Sequence, residues 1–286
     1  MSVVPGNLID QVIDQVEHLP TLPQVVTKLL AMTELPNVDA VKLSRALDQS
    51  LAAKVLKLAN SAFYGSKKVS TIPQGIVIIG FDAVKEIILT TSFFHTFHDA
   101  QDVQALKPLW QHSLECATMA KRLAWIYRYE ALDEAYFAGL IHDIGKLIIQ
   151  QYFPDQHQQI EKMTGGAEEN LEAEKEVLGI THAEIGRKIS EYWTFPETQV
   201  DAITHHHDQH WQLNPKLGRI LYYADRFVLG LFDLNQLLDA FSQAGMFYPA
   251  GWEASDIQEV EGILRKEIDK ARSMWNSAMD SQPLNC

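Results

Sequence analysis

Ala138-Gly139-Leu140-Ile141-His142-Asp143-Ile144-Gly145-Lys146-Leu147 sets a histidine and an aspartate side by side inside a run that otherwise reads as a buried helix. Ala138, Ile141, Gly145 and Ile149 recur at steps of three and four, and His142 falls on the same apolar face. Charge in such a place is costly unless it has a partner. Taken alone, an adjacent His-Asp is most simply a hydrogen-bonded core pair. Whether it is more depends on the other polar residues that the chain sets into apolar stripes.

Outward from this stretch, nearly every periodic segment has helical spacing and no period-two alternation stands out, so the expected fold class is all-α. Helices are predicted over about 7–17, 22–33, 39–48, 51–61, 72–79 and 82–95. A second set covers about 108–128, 131–151, 154–163, 168–178, 182–193, 196–207, 215–232, 235–244 and 255–279. Ser/Thr-x-x-Glu/Gln capping boxes mark Thr21…Gln24, Thr71…Gln74, Thr181…Glu184 and Ser255…Gln258. The most apolar run, Ile76 to Ile79, follows one of these boxes and is expected to be a buried helix ending at Gly80. Asn60-Ser61 ahead of Gly65 reads as a helix end and turn. The polar, weakly patterned stretch after residue 96, ended by Pro108, divides a helical N-terminal lobe (1–100) from a second helical domain with a C-terminal helical extension (101–286).

The second half repeats the oddity of the opening stretch. His112 is in register with Leu109, Cys116, Ala120 and Leu123, and Asp225 is in register with Leu221, Val228, Leu229 and Phe232. Thr181 caps a helix that begins with His182, and Thr204-His205-His206-His207-Asp208 gathers three histidines at a helix end. Each has an ordinary structural account, a hydrogen-bonded core histidine or a helix-dipole contact. Five imidazoles and two carboxylates on apolar faces of different helices instead suggest a metal site, because a buried charge needs a counter-charge. Imidazole and carboxylate donors suit iron, manganese, zinc or nickel, and the lack of cysteine ligands disfavours structural zinc.

Composition excludes several classes. There are 24 Lys and Arg against 37 Asp and Glu, a formal charge of −13, with no basic run beyond Lys67-Lys68. Phosphate contacts dominate nucleic-acid affinity, so direct nucleic-acid binding is disfavoured. The two cysteines, Cys116 and Cys286, make neither a disulfide framework nor a CxxC site. No apolar run approaches the roughly 18 residues that cross a bilayer, and the N-terminus lacks a signal-peptide pattern, so a cytoplasmic location without membrane attachment is expected.

The order His112, His142-Asp143, His182, His206-His207, Asp225 resembles the HD superfamily of metal-dependent phosphohydrolases in its two-metal form. Leu19-Pro20-Thr21-Leu22-Pro23, the run from Ala52 to Gly65, and Ile72-Pro73-Gln74-Gly75-Ile76 with Gly80 resemble the HDOD domain. That domain is a bacterial signalling and regulatory module related to the HD-GYP cyclic-dinucleotide phosphodiesterases. The likeness runs from about residue 10 to about 230.

Carried over residue by residue, the resemblance implies that His112, His142, Asp143 and Asp225 hold one divalent metal. Asp143 would bridge to a second, held with His182, His206 and His207, iron or manganese standing ahead of zinc or nickel. His205 falls one place early, and the triple histidine leaves that register open. Lys146 matches a phosphate-binding lysine, while an i,i+3 salt bridge to Asp143 accounts for it equally well. The Gly-Tyr-Pro loop of HD-GYP enzymes is replaced here by Asp208-Gln209-His210-Trp211-Gln212-Leu213-Asn214-Pro215. Two functions stay open: a metal-dependent phosphohydrolase using Asp143 and Lys146, or a non-catalytic regulatory module. The resemblance implies a phosphorylated nucleotide as ligand and a protein as signalling partner.

Overall fold

The computed structural model describes residues 5–17, 39–47, 49–61, 64, 68–96, 105–164, 171–208, 216–236, 239 and 254–279. The helices expected over 22–33 and 235–244, the Thr21…Gln24 box and residues 209–215 lie wholly or largely outside them. The described chain is all-helical, without a strand, as the periodicity predicts. In order the longer helices are α1 (Pro5–Glu17), α2 (Ala40–Ala46), α3 (Gln49–Ala59), α4 (Ile72–Ile79) and α5 (Phe81–Thr96). They continue with α6 (Lys107–Ile126), α7 (Leu132–Ile141), α8 (Ile144–Tyr152), α9 (Pro154–Thr164) and α10 (Leu171–Leu178). The last are α11 (His182–Tyr192), α12 (Glu197–Thr204), α13 (Lys216–Val228) and α14 (Ala254–Met279). No described helix is long and apolar enough to cross a membrane.

These helices fall into two compact units. The smaller holds α2–α5 around a core of Leu43, Leu51, Val55, Ile76, Val84 and Ile88. Gly80 ends α4 with φ +86°, a conformation that costs glycine little, and its N–H donates to the Ile76 carbonyl at 2.9 Å. Thr71 stands at the N-cap of α4, but its side chain makes no capping bond, so the box read from Thr71…Gln74 is not formed. Asn60 is structural, as expected. Its amide donates to the carbonyls of Leu56 and Val69 at 2.9 and 2.8 Å, and its side-chain oxygen accepts from the Val69 N–H at 2.7 Å.

The larger unit contains α1, α6–α13 and α14 as far as Ser273. The sequence reading grouped residues 1–100; the structure instead packs α1 against α10 and α11 of this unit. The reason is apolar burial, since Val12 and Val16 on α1 are buried there. At the centre α6 lies along α7 and α13, sealed by Leu123, Ala138, Leu221 and Phe227. Helix α14 is held on α6 and α13 by polar links as well as by Leu264 and Ile268. Arg272 donates twice to the buried carboxylate of Glu115, at 2.7 and 2.8 Å, and Arg265 lies 4.8 Å over the Phe227 ring.

The opening stretch is not one helix. The segment predicted as continuous over 131–151 breaks into α7 and α8, with His142 and Asp143 in the turn between. The break is made possible by close backbone approaches on both sides. A Cβ on Gly139 would lie 2.6 Å from Ala117 Cα, and one on Gly145 would collide with the His182 backbone. Glycine at both places lets the turn sit between α6 and the start of α11. That position carries both polar residues into the middle of the unit.

Candidate metal centre

His112 and Cys116 are one turn apart on α6 and point the same way. Asp225 comes from α13, and its Oδ1 lies 3.0 Å from His112 Nε2. His182 opens α11 behind its cap: Thr181 accepts from the Glu184 N–H, and Glu184 reaches back to the Thr181 N–H, the capping box that the sequence predicts. His206 and His207 follow α12 in a turn. His205, in the same turn, has its Nδ1 on the Asp201 carbonyl at 3.0 Å and takes no part in the cluster. The structure thus brings together all seven residues that the sequence proposed as ligands.

They form two groups, His112, Cys116, His142 and Asp225 in one, and Asp143, His182, His206 and His207 in the other. Within each, the ligand atoms lie within 4.8 Å of one another. Asp143 links the groups. Its Oδ1 is 3.3 Å from His182 Nε2 and 3.5 Å from His206 Nε2. Its Oδ2 is 3.4 Å from His142 Nε2 and 3.6 Å from His112 Nε2. As N-cap of α8 Asp143 makes no side-chain cap bond, so its carboxylate is committed to the cluster. Lys146 Nζ donates to Oδ2 at 2.8 Å, which realises the i,i+3 salt bridge.

The histidines are oriented from behind. His142 Nδ1 donates to the Gly139 carbonyl at 2.8 Å, and His206 Nδ1 to the Ile203 carbonyl at 2.6 Å. His182 Nδ1 donates to Glu174 at 2.8 Å, and Glu174 also accepts the His182 backbone N–H at 2.7 Å. A carbonyl or carboxylate can only accept, so in the neutral rings these contacts fix the tautomer with Nε2 bare. Bare Nε2 atoms of His182 and His206 then face each other at 3.3 Å. His142 Nε2 and Asp143 Oδ1 are buried without a hydrogen bond. Convergent lone pairs held by second partners are the pattern of metal-ligating histidines, and the donor set fits a cation.

The electrostatics among these side chains agree. Burial would raise the Asp143 and Asp225 carboxyls, but neighbouring His142, with Lys146 for Asp143 and His112 for Asp225, holds both well below the carboxylate range. Burial would lower His142, yet Asp143 and Asp225 outweigh it and raise the group to about 10. Burial, with His142 and His182 beside it, lowers His206 to about 4, and burial with His206 alongside lowers His207 further. A proton on His142 and a bound cation would therefore compete for one nitrogen.

Two residues of the cluster escape the sequence reading. Cys116 reads there as one more apolar residue of its stripe, although its i,i+4 spacing from His112 was a usable signal; the structure sets its sulfur beside His112 and Asp225. Glu174 gives no signal, because it stands in the acidic run Glu172, Glu174, Glu176 that reads as a solvated face. In the structure it is 3% exposed.

The HDOD domain model matches residues 19–209, a span that ends before Asp225. An uncharacterized protein of Treponema pallidum (strain Nichols) is 24% identical over 222 residues, 72% of this chain and 42% of that protein. The chain thus spans less than half the length of this curated relative. Among solved structures, an HDOD domain protein of unknown function from Geobacter sulfurreducens matches with a TM-score of 0.73 at 23% identity, covering 95% of this chain and 97% of the other. A protein of Shewanella amazonensis SB2B, provisionally named a phosphohydrolase, matches with a TM-score of 0.70 at 24% identity, covering 93% and 97%. At these identities the two structures speak for the fold. By the extent of the domain match, the chain belongs to the HDOD family.

Proposed function

We propose that the larger unit binds two divalent cations and is a metal-dependent phosphohydrolase site within a signalling protein. His112, His142, Asp143 and Asp225 would hold one cation, and Asp143, His182, His206 and His207 the other. The observation that carries the reading is Asp143, whose two oxygens face opposite histidine groups from a buried position. The provisional name of the Shewanella protein supports the reaction class. Iron and manganese suit the nitrogen and oxygen donors best.

Bound cations would supply Lewis acidity toward a phosphoryl oxygen and acidify a water in the site. The protein's part is placement. Glu174 locks His182 in one tautomer, and the carbonyls of Gly139 and Ile203 do the same for His142 and His206. Lys146 stands on the solvent side, its side chain 23% exposed where Asp143 is 1% exposed. Its ammonium is thereby placed to offset charge on an incoming phosphate, such as that of a nucleotide.

A second reading, a non-catalytic module that engages a protein partner, draws support from the smaller unit. There Val77 and Ile78 are exposed side by side on α4, at 71% and 41%. Metal analysis of purified protein, paired with a phosphodiester hydrolysis screen in iron and manganese, separates the two. The enzyme reading expects about two metals per chain and turnover that Asp143→Ala abolishes. Metal without turnover would leave the regulatory reading, and turnover insensitive to Asp143→Ala would mean a contaminant.

A further inference from the structure

Cys116 is fully buried, yet its sulfur does not sit among hydrocarbon. Sγ lies 3.5 Å from His112 Nε2 and 3.7 Å from Asp225 Oδ1, two groups assigned above to a cation. One thiol proton can serve only one of them. The same pocket receives His142 Nε2, buried and without a hydrogen bond. A small apolar residue would fill the volume of Cys116 equally well and would not bring a donor atom to this point.

We propose that Cys116 is a direct ligand of one of the two cations, completing, with the bridging Asp143, a set of two imidazoles, two carboxylates and one thiolate. The inference rests on the two-metal reading and goes beyond it, because it makes the halves chemically unlike. On binding, the thiol proton leaves to solvent as the sulfur–metal bond forms. The other half, Asp143 with His182, His206 and His207, has only nitrogen and oxygen donors. Thiolate favours the softer ions, so the half holding Cys116 selects zinc or ferrous iron over manganese, while the other half accepts manganese.

Cobalt(II) is the probe. Metal-stripped protein carrying Cys286→Ser, which leaves Cys116 as the one remaining cysteine, is titrated with cobalt while bound metal and absorbance are followed. The expected result is a near-ultraviolet sulfur-to-cobalt charge-transfer band that grows with one of two bound equivalents. Adding Cys116→Ser should remove that band, keep the visible cobalt bands, and cut the preference for zinc over manganese at that half on the order of tenfold. Cobalt bound without the charge-transfer band overturns the role of Cys116 and leaves the metal site standing. No cobalt bound overturns the metal reading itself. Because the band in Cys286→Ser decides the matter alone, a Cys116→Ser chain that fails to fold costs the test nothing.

Discussion

In the smaller unit every buried residue described is apolar, from Leu43 on α2 to Leu89 on α5. In the larger unit His142, Asp143, His182, His206 and Asp225 are buried to 2% or less. The two units are otherwise made alike, from helices packed around an apolar core. An apolar core needs only its own packing, whereas buried imidazoles and carboxylates need something to compensate their desolvation. Among the described residues, the contrast sets the proposed chemistry in the larger unit.

The largest test of that contrast is Asp143→Ala. Removing the link between the histidine groups leaves Lys146 without its salt-bridge partner and His142 with Asp225 alone, which should destabilise the larger unit by about 3 kcal/mol. Bound metal should vanish with it. The tryptophans other than Trp275 belong to the larger unit, so in a Trp275→Phe background tryptophan fluorescence in a urea titration reports on that unit. Ile76→Ala is the mirror experiment. Losing a fully buried side chain of the smaller unit should cost about 3 kcal/mol by circular dichroism and leave metal content unchanged. A fall in metal content would break the proposed separation of roles.

Acid should sharpen the contrast in metal-free protein. His206 is held at about 4, below its ordinary 6.5, so as the pH falls through that window the unfolded chain takes up its proton first. Stability is then lost at up to about 1.4 kcal/mol per pH unit for that group, and His207 acts in the same direction. His142, raised to about 10, stays protonated in the folded state and opposes this slope only near pH 6.5, where the unfolded histidine is still titrating. Fluorescence-monitored unfolding between pH 6.5 and 4 should show the loss, and equal loss in the smaller unit would refute its origin in the cluster.

Smaller effects concern the supports of the site. Glu174→Gln removes the charged acceptor behind His182, and metal affinity measured by competition with a chelator dye should drop about 10- to 100-fold with the fold intact. Unaltered affinity would reduce Glu174 to packing. Thr181→Ala deletes half of the capping box at α11 and should cost about 1 kcal/mol of larger-unit stability, with little change in metal binding.

The sequence by itself was enough for the helical class, the cap at Thr181, the end of α4 at Gly80 and the seven residues that the structure gathers. Those are local signals, since a helix face, a cap or a polar residue in an apolar stripe is written within a few residues of itself. Resemblance supplied their grouping. Only the tertiary structure decided that the His142-Asp143 stretch is a break between α7 and α8, because the cause lies elsewhere, in backbones of α6 and α11 that leave no room for a Cβ at Gly139 or Gly145. It also decided that α1 packs with the larger unit, that Glu174 stands behind His182, and that Cys116 lies beside His112 and Asp225. A buried acceptor reads like a surface glutamate and a donor thiol reads like a core residue until the chain closes around them.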